Sequence, residues 1–593
     1  MIARYLREHT SPPVFVSSAV LALAFVLWGA VAPASLGSVA DAVNSAVTGN
    51  LGWLYIFTAS AFVVFVVVLM ASRFGRVKLG PSDSTPEYKT VSWFAMLFTA
   101  GMGIGLVFYA VAEPLTHFTS PPTGEAGTAE AAENAMLYTF YHWGLHPWAI
   151  YIVLGLSLGY FSFRKGLPLR PAAALYPLIG NRINSWPGYL VDVVAVFGTL
   201  FGLATSLGIG AQQVGAGLET LFGLENSTPL QIVLILLITS VAAVSVLLGI
   251  DKGIRNLSLI NLWLALALML FVFFFGPTRD LLNSAAANVG VYVQQLPGLS
   301  FQTFPGATDA QSWQSSWTLF YWGWWISWSP FVGMFLARIS YGRTIRQFVA
   351  GALFAPVGAS MVWMTVFGDT ALDILRADPA NPLAGAPDSP ETSMFLLLQQ
   401  LPVPEILTLL ASVLSIVVVV LFFATSSDSG SLVIDILTNG GDPNPRWQQR
   451  LFWAVLEGII AAVLLGAGAA AGADALSALQ TASILAGLPL CIVLILMAVG
   501  LMRGLRSERF VVALPVEASP ALALRSSTAR TDDLTTERAE VDGGRATIDP
   551  NGALYSETAV ATMATSDEVE PDSGDDVLDN AGEVALERNQ GST

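Results

Sequence analysis

Thr99-Ala100-Gly101-Met102-Gly103-Ile104-Gly105 places three glycines at alternate positions inside an apolar run. Each costs a helix about 1 kcal/mol relative to alanine, so the stretch predicts a helix that breaks there or lets another group come close. Packing competes with breakage, because Gly101 and Gly105 also form the small-xxx-small pair that lets two helix backbones touch. Spacing alone leaves both readings open.

The run that holds this stretch, residues 91–113, is one of twelve. The others lie near 14–35, 52–72, 138–162, 189–218, 230–250, 257–277, 313–337, 346–368, 405–427, 451–472 and 479–502. They approach the roughly 20 residues that one spanning helix needs. Composition agrees: 54% of the 593 residues are hydrophobic and 12% charged, against about a quarter charged in soluble proteins. Soluble and disordered classes are excluded for most of the chain. The alternating segments of a membrane barrel are absent from the sequence, and helices remain because lipid offers no partner to unpaired backbone groups. The single cysteine, Cys491, rules out an internal disulfide.

The loops test the count. With the N-terminus inside, the inner segments hold 20 Lys and Arg, from Arg4 and Arg7 through Arg338, Arg343 and Arg346 to Arg509, against Arg279 and Arg376 outside. Lys and Arg near span ends stay cytoplasmic, so twelve spans with both ends inside are expected. A signal peptide competes for the first run, which follows two arginines and ends in Ala32-Pro33-Ala34-Ser35, but removing that span would invert every later loop.

Two further runs are unlike lipid-facing helices. The eighth reads Trp322-Gly323-Trp324-Trp325-Ile326-Ser327-Trp328-Ser329-Pro330, and the fourth reads His142-Trp143-Gly144-Leu145-His146-Pro147-Trp148-Ala149-Ile150-Tyr151. Interfacial belts explain single tryptophans, not clusters around helix-perturbing prolines. Aromatic faces converging in a dry site attract a quaternary ammonium, with about 2 kcal/mol or more per desolvated contact; aromatic core packing is the alternative. The tenth run leads into Thr425-Ser426-Ser427-Asp428-Ser429, where hydroxyls and freed carbonyls would make an oxygen cage for a small cation, unless each hydroxyl satisfies its own turn. The third and eighth spans each open a block of five. Two odd-numbered blocks insert with opposite orientation, the inverted-repeat plan with its site at the repeat interface. The resulting divisions are 1–90 (two extra N-terminal spans), 91–277 (first repeat), 278–312 (outer connection), 313–505 (second repeat) and 506–593 (tail).

These segments, "AGMGIG", "HWGLHPWAIY", "FYWGWWISWSPFVGMFLARIS" and "TSSDS", resemble the signatures of the betaine/carnitine/choline transporter family across residues 14–505. The resemblance implies an all-α, leucine-transporter-type fold of two inverted five-helix repeats after two extra helices, assembled as a homotrimer. It implies an aromatic box of Trp143, Trp148, Tyr151 and Trp325, with Trp324 and Trp328 along the substrate path and backbone near Ala100 and Met102 meeting a substrate carboxylate. A sodium site maps onto Thr99, Met102, Phe422, Thr425 and Ser426. For a second ion, Thr199 matches the family's pattern while Leu203 offers no oxygen. Choline-preferring relatives tend to carry Asp where this chain has Gly105, so a zwitterion, glycine betaine first, fits better than a cation. Carnitine, choline and ectoine, and proton coupling or exchange, remain as alternatives. No organic cofactor is implied, and the partners are the solute, sodium and the bilayer.

Four other readings follow from single features. Gly155-Leu156-Ser157-Leu158-Gly159 matches a serine-hydrolase elbow but lies in a continuous apolar run without the strand-turn-helix it requires. Glu113 and Asp192 are acids in or beside apolar segments and so are functional candidates by default; Glu113, before Pro114 near the outer surface, reads as a structural pairing. His142 and His146 read as bonding within the bundle. Finally, residues 511–593 hold 17 acidic and 5 basic side chains, so most of the net charge of −16 belongs to a polar tail, expected to be disordered and able to dock on inner arginines 338, 343 and 346.

Overall fold

The computed structural model describes residues 2–101, 103–248, 254–443, 446–470, 472, 475–508, 546–548 and 554–556. Because lipid leaves every backbone group to be satisfied within its own segment, the apolar runs become helices: α1 (Pro12–Val31), α2 (Pro33–Ala71), α3 (Thr90–Gly101), α4 (Ile104–Thr119), α5 (Ala129–Trp143), α6 (Leu145–Gly159), α7 (Trp186–Phe222), α8 (Thr228–Leu248) and α9 (Ile254–Phe275). After an amphipathic connection, α10 (Thr278–Leu299), come α11 (Phe320–Ile339), α12 (Ile345–Met364), α13 (Glu405–Thr438), α14 (Trp447–Ala470) and α15 (Ala475–Arg506).

Among the described residues, ten helices are long and apolar enough to cross a membrane. The other two of the twelve expected spans are the two unusual ones. The third is split into halves of 12 and 16 residues, α3 and α4; the eighth is α11, whose tryptophans, glycines and serines lower its hydropathy. The fourth span also breaks, at Gly144, between α5 and α6. There the freed backbone N–H of Leu145 donates to the Tyr292 hydroxyl of α10 at 3.0 Å.

The packing repeats with a period of five spans. α11 lies along α6, and the counterpart pair is α3 along α12; α7 meets α14 as α8 meets α13; α9 meets α13 as α15 meets α7. Two blocks thus enclose each other, and the core between them is aromatic and aliphatic.

Three segments expected on one face do meet there. Leu79 N donates to Arg343 O, and Gly342 N donates to Leu79 O, both at 2.8 Å. Arg164 Nη1 donates to Gly80 O at 3.0 Å. Arg346 Nε donates to Met70 O at the end of α2 at 3.0 Å, a cation on a helix C-terminus. Arg343 is turned inward, its guanidinium 3.9 Å above the Trp93 ring and donating to Tyr88 O. An aromatic face and a backbone carbonyl thus hold Arg343.

Residues Ser507–Thr593 form a second unit. Its described part is an antiparallel pair, β1 (Ala546–Ile548) with β2 (Leu554–Ser556), where the sequence reading expected no structure. Apart from residues 506–508, the rest of the expected tail lies outside the described residues.

Candidate substrate and ion site

Proline shapes the helix that carries most of the site. Pro330 cannot donate to the carbonyl four residues back, and in α11 the Ser329 hydroxyl donates to that carbonyl, Ile326 O, at 2.7 Å. The helix therefore continues through its tryptophans instead of breaking, which corrects the interruption expected there. Its irregularity lies earlier, in a π-helical turn at Ser315–Leu319.

One cavity gathers side chains from three spans. Its lining includes Gly103 and Gly105 at the start of α4, Trp143, Trp148 and Tyr151 from the fourth span, and Trp324, Trp325 and Trp328 from α11. The rings stand almost at right angles: Trp143 to Trp325 at 4.9 Å and 71°, Tyr151 to Trp325 at 6.4 Å and 80°, Trp148 to Tyr151 at 5.5 Å and 87°. Trp324 stacks on Trp325 at 4.8 Å and 12°. Walls at right angles can turn π faces toward one enclosed volume, the geometry that attracts a bulky cation with no hydrogen to donate.

The polar tips of these rings are tied elsewhere, as buried indole N–H groups require. Trp325 Nε1 donates to His142 O at 2.9 Å, Trp328 Nε1 to Gly202 O at 2.8 Å, and Trp324 Nε1 to Ser206 Oγ at 3.2 Å. Trp143 Nε1 donates to Glu113 Oε2 at 2.8 Å. Glu113 is fully buried and also accepts the Tyr321 hydroxyl at 2.5 Å, while His142 Nδ1 and His117 Nε2 lie 2.7 and 3.3 Å from its Oε1. Glu113 is thus a structural pairing, as expected, set behind the aromatic cavity. Glu113, His117 and His142 are close enough to share a metal. Glu113 Oε1 already lies against both rings, and His142 Nε2 is paired to Thr318 Oγ1 at 3.0 Å, so the group reads as a hydrogen-bonded hub, with His117 Nδ1 left without a partner.

Gly105 has a steric reason. A Cβ there would lie 2.5 Å from Trp324 Cη2 and 2.9 Å from Trp143 Cη2. An Asp at this position would have to displace two rings of the cavity.

The ion residues are a different matter. Met102 lies outside the described residues, as do the side chains of Thr99 and Ala100. On α13 no carbonyl is freed: the helix runs unbroken through the motif to Thr438, and the Thr425 hydroxyl donates to Leu421 O at 2.8 Å and lies 3.2 Å from Phe422 O. This corrects the expected end of the helix at Thr425–Ser429, and Thr425 is a hydroxyl that bonds to its own turn. Phe422 is buried and Ser426 half-buried. Thr199 bonds Ala195 O of its own helix at 2.8 Å. Leu203 packs its methyls against Gly430 of α13.

Asp192 accepts Arg170 Nη1 at 2.9 Å and Ala172 N at 3.0 Å, a structural pair. His146 Nε2 lies 3.2 Å from Ser300 Oγ, within the bundle. Ser157 sits inside α6 and donates to Val153 O at 2.7 Å, so the hydrolase motif is a helical turn. Sequence reading missed Tyr321, Ser206 and the hub role of Glu113; the one local signal was the Glu113–His117 spacing of four, which puts both on one helix face.

A bundle of long membrane helices folded around a hydrogen-bonded aromatic cavity describes a solute transporter. The family model for "BCCT, betaine/carnitine/choline family transporter" matches residues 13–510, and the chain belongs to that family, whose members are transporters and not enzymes. It is similar to an uncharacterized transporter of Mycobacterium tuberculosis, 48% identical over 488 residues, 82% of this chain and 81% of that one. It is 43% identical to a glycine betaine transporter of Bacillus subtilis over 503 residues, 85% of this chain and 96% of that one. A glycine betaine/proline/choline/ectoine transporter of Vibrio parahaemolyticus is 42% identical over 502 residues, 84% of this chain and 87% of that one.

Proposed function

We propose that the protein takes up glycine betaine, or a closely related quaternary-ammonium zwitterion, together with sodium by alternating access. The observation that carries this reading is the set of perpendicular rings, Trp143, Trp148, Tyr151 and Trp325, around one cavity, with the indole N–H groups of Trp143 and Trp325 tied outside it. Relatives named for glycine betaine at 42–44% identity support the substrate class. We place the twelve spans in the plasma membrane with both termini in the cytoplasm, an orientation that the loop charges support, with osmoprotection as the role and a homotrimer as the assembly. The divisions at 90, 277, 312 and 505 serve as the working domain plan.

A zwitterion has no net charge, so membrane potential concentrates it only if an ion travels along. Each sodium entering gains about 2.3 kcal/mol per 100 mV, or roughly 50-fold accumulation at tenfold per 1.4 kcal/mol. Thr99, Met102, Phe422, Thr425 and Ser426 are the proposed sodium residues. Leu203 argues for one ion, not two, and is also the feature that favours a second reading, exchange or proton coupling. Uptake of radiolabelled glycine betaine into proteoliposomes decides between them. Accumulation that follows an imposed inward sodium gradient supports symport; stimulation by internal substrate without sodium supports exchange.

A further inference from the structure

Glu457 lies near the middle of α14, inside the apolar run 451–472. It is fully buried, and neither of its carboxyl oxygens has a hydrogen-bond partner. Two hydroxyls from two other helices are left in the same state: Ser427 Oγ on α13, within electrostatic reach of that carboxyl, and Thr239 Oγ1 on α8. Thr239 is pressed against α14 beside Glu457, since a Cβ at Gly458 would collide with its hydroxyl and lie 2.9 Å from its methyl.

Among the described residues, the buried basic groups Arg170 and Arg450 already hold acids other than Glu457. Asp428 is held by Arg450 and by the Ser245 hydroxyl, Asp435 accepts from Asn439, and Asp192 pairs with Arg170. Of the helices packed on α14, α1 and α8 contain no acidic or basic residue, and Asp41, Glu219, Glu405, Arg503 and Arg506 stand toward the ends of theirs. An unpaired carboxylate in the membrane interior carries a penalty of several kcal/mol. A hydrated ion needs space that the close approach of α8 to α14 does not leave. A proton needs none.

We propose that Glu457 is a proton-binding site of this transporter, neutral in the present packing and ionised only when α13 parts from α14 and admits water. Because Ser427 follows Thr425 and Ser426 on the same helix, proton release at Glu457 is linked to movement of the proposed sodium residues. Raising the pH then favours the parted state and lowers uptake, whichever ion drives transport. This goes beyond the sodium reading and does not depend on it.

The test is infrared spectroscopy of the purified full-length protein in lipid, with Glu457→Gln alongside. The wild type should show the carbonyl band of a buried protonated carboxyl at neutral pH, absent from the variant. This arm needs no substrate, so its failure is separate from a failure of the substrate assignment. In proteoliposomes, the alkaline decline in glycine betaine uptake should flatten in Glu457→Gln. Absence of the band in the wild type would overturn the proposal. So would an alkaline decline unchanged in the variant, or a carboxylate band that shifts on adding sodium at constant pH, which would make Glu457 a metal ligand. If Glu457→Gln does not transport, the band comparison on the purified variant still decides.

Discussion

The aromatic cavity and the hydroxyl segment of α13 sit in one bundle but are prepared for their tasks in opposite ways. Around the cavity, the indole N–H groups of Trp143, Trp324, Trp325 and Trp328 are each committed to a partner on another span, leaving the ring faces available. On α13 the Thr425 hydroxyl bonds to its own turn, and across from it Leu203 presents carbon to Gly430. The contrast teaches that on the proposed reading the ring faces are ready in the present packing, whereas Thr425 would have to add an ion to bonds it already makes.

The comparison is broken most severely at Glu113. Glu113→Ala leaves the buried donors of Trp143 and Tyr321 unpaired, at about 1–3 kcal/mol each. It should therefore give the largest fall in the thermal midpoint of the purified protein, together with weaker substrate binding. A midpoint close to wild type would show that Glu113 does not hold the rings.

Trp325→Ala comes next. Loss of one desolvated cation–π contact of about 2 kcal/mol corresponds to roughly a 30-fold weaker apparent affinity, with a smaller change in stability than at Glu113. Unchanged affinity would remove Trp325 from the box. Gly105→Ala should follow, since the added methyl lies 2.5 Å from Trp324 and 2.9 Å from Trp143; overpacking of about 1–3 kcal/mol would appear as a raised uptake KM. An unaltered KM would mean that the two rings move aside freely.

The smallest effect belongs to the other region. With Leu203 in the place of a second oxygen ligand, the sodium activation curve of the wild type should be hyperbolic. Leu203→Thr, which restores a hydroxyl one turn from Thr199, should change betaine affinity by no more than about threefold, because Leu203 is not among the residues that line the cavity. A steep, two-ion activation curve in the wild type would show that carbon at position 203 does not prevent a second site.

Much of this was legible along the chain because it is local. The glycines at 101, 103 and 105 announce the break between α3 and α4, and the tryptophans of the fourth and eighth spans announce the cavity. What the chain withheld is whatever one segment does for another. Pro330 signals a break, but Ser329 takes over the freed carbonyl and the helix continues. Glu113 signals an acid near a helix end, while its partners arrive from the fourth and eighth spans. Thr425 signals an oxygen ligand, and only the unbroken α13 reveals that it first serves its own turn. Glu457 was legible as an acid in an apolar run, a signal overshadowed by the more conspicuous tryptophans.

The central claim is that the cavity recognises the positive charge of a trimethylated head group. The direct measurement is equilibrium binding to the purified wild-type protein of glycine betaine and of tert-butylacetate, which has the same shape with carbon in place of the charged nitrogen. The account predicts that the carbon analogue binds at least about 30-fold more weakly, the equivalent of one lost cation–π contact. Comparable affinity for the two would contradict it and would make the cavity a hydrophobic pocket, blind to charge.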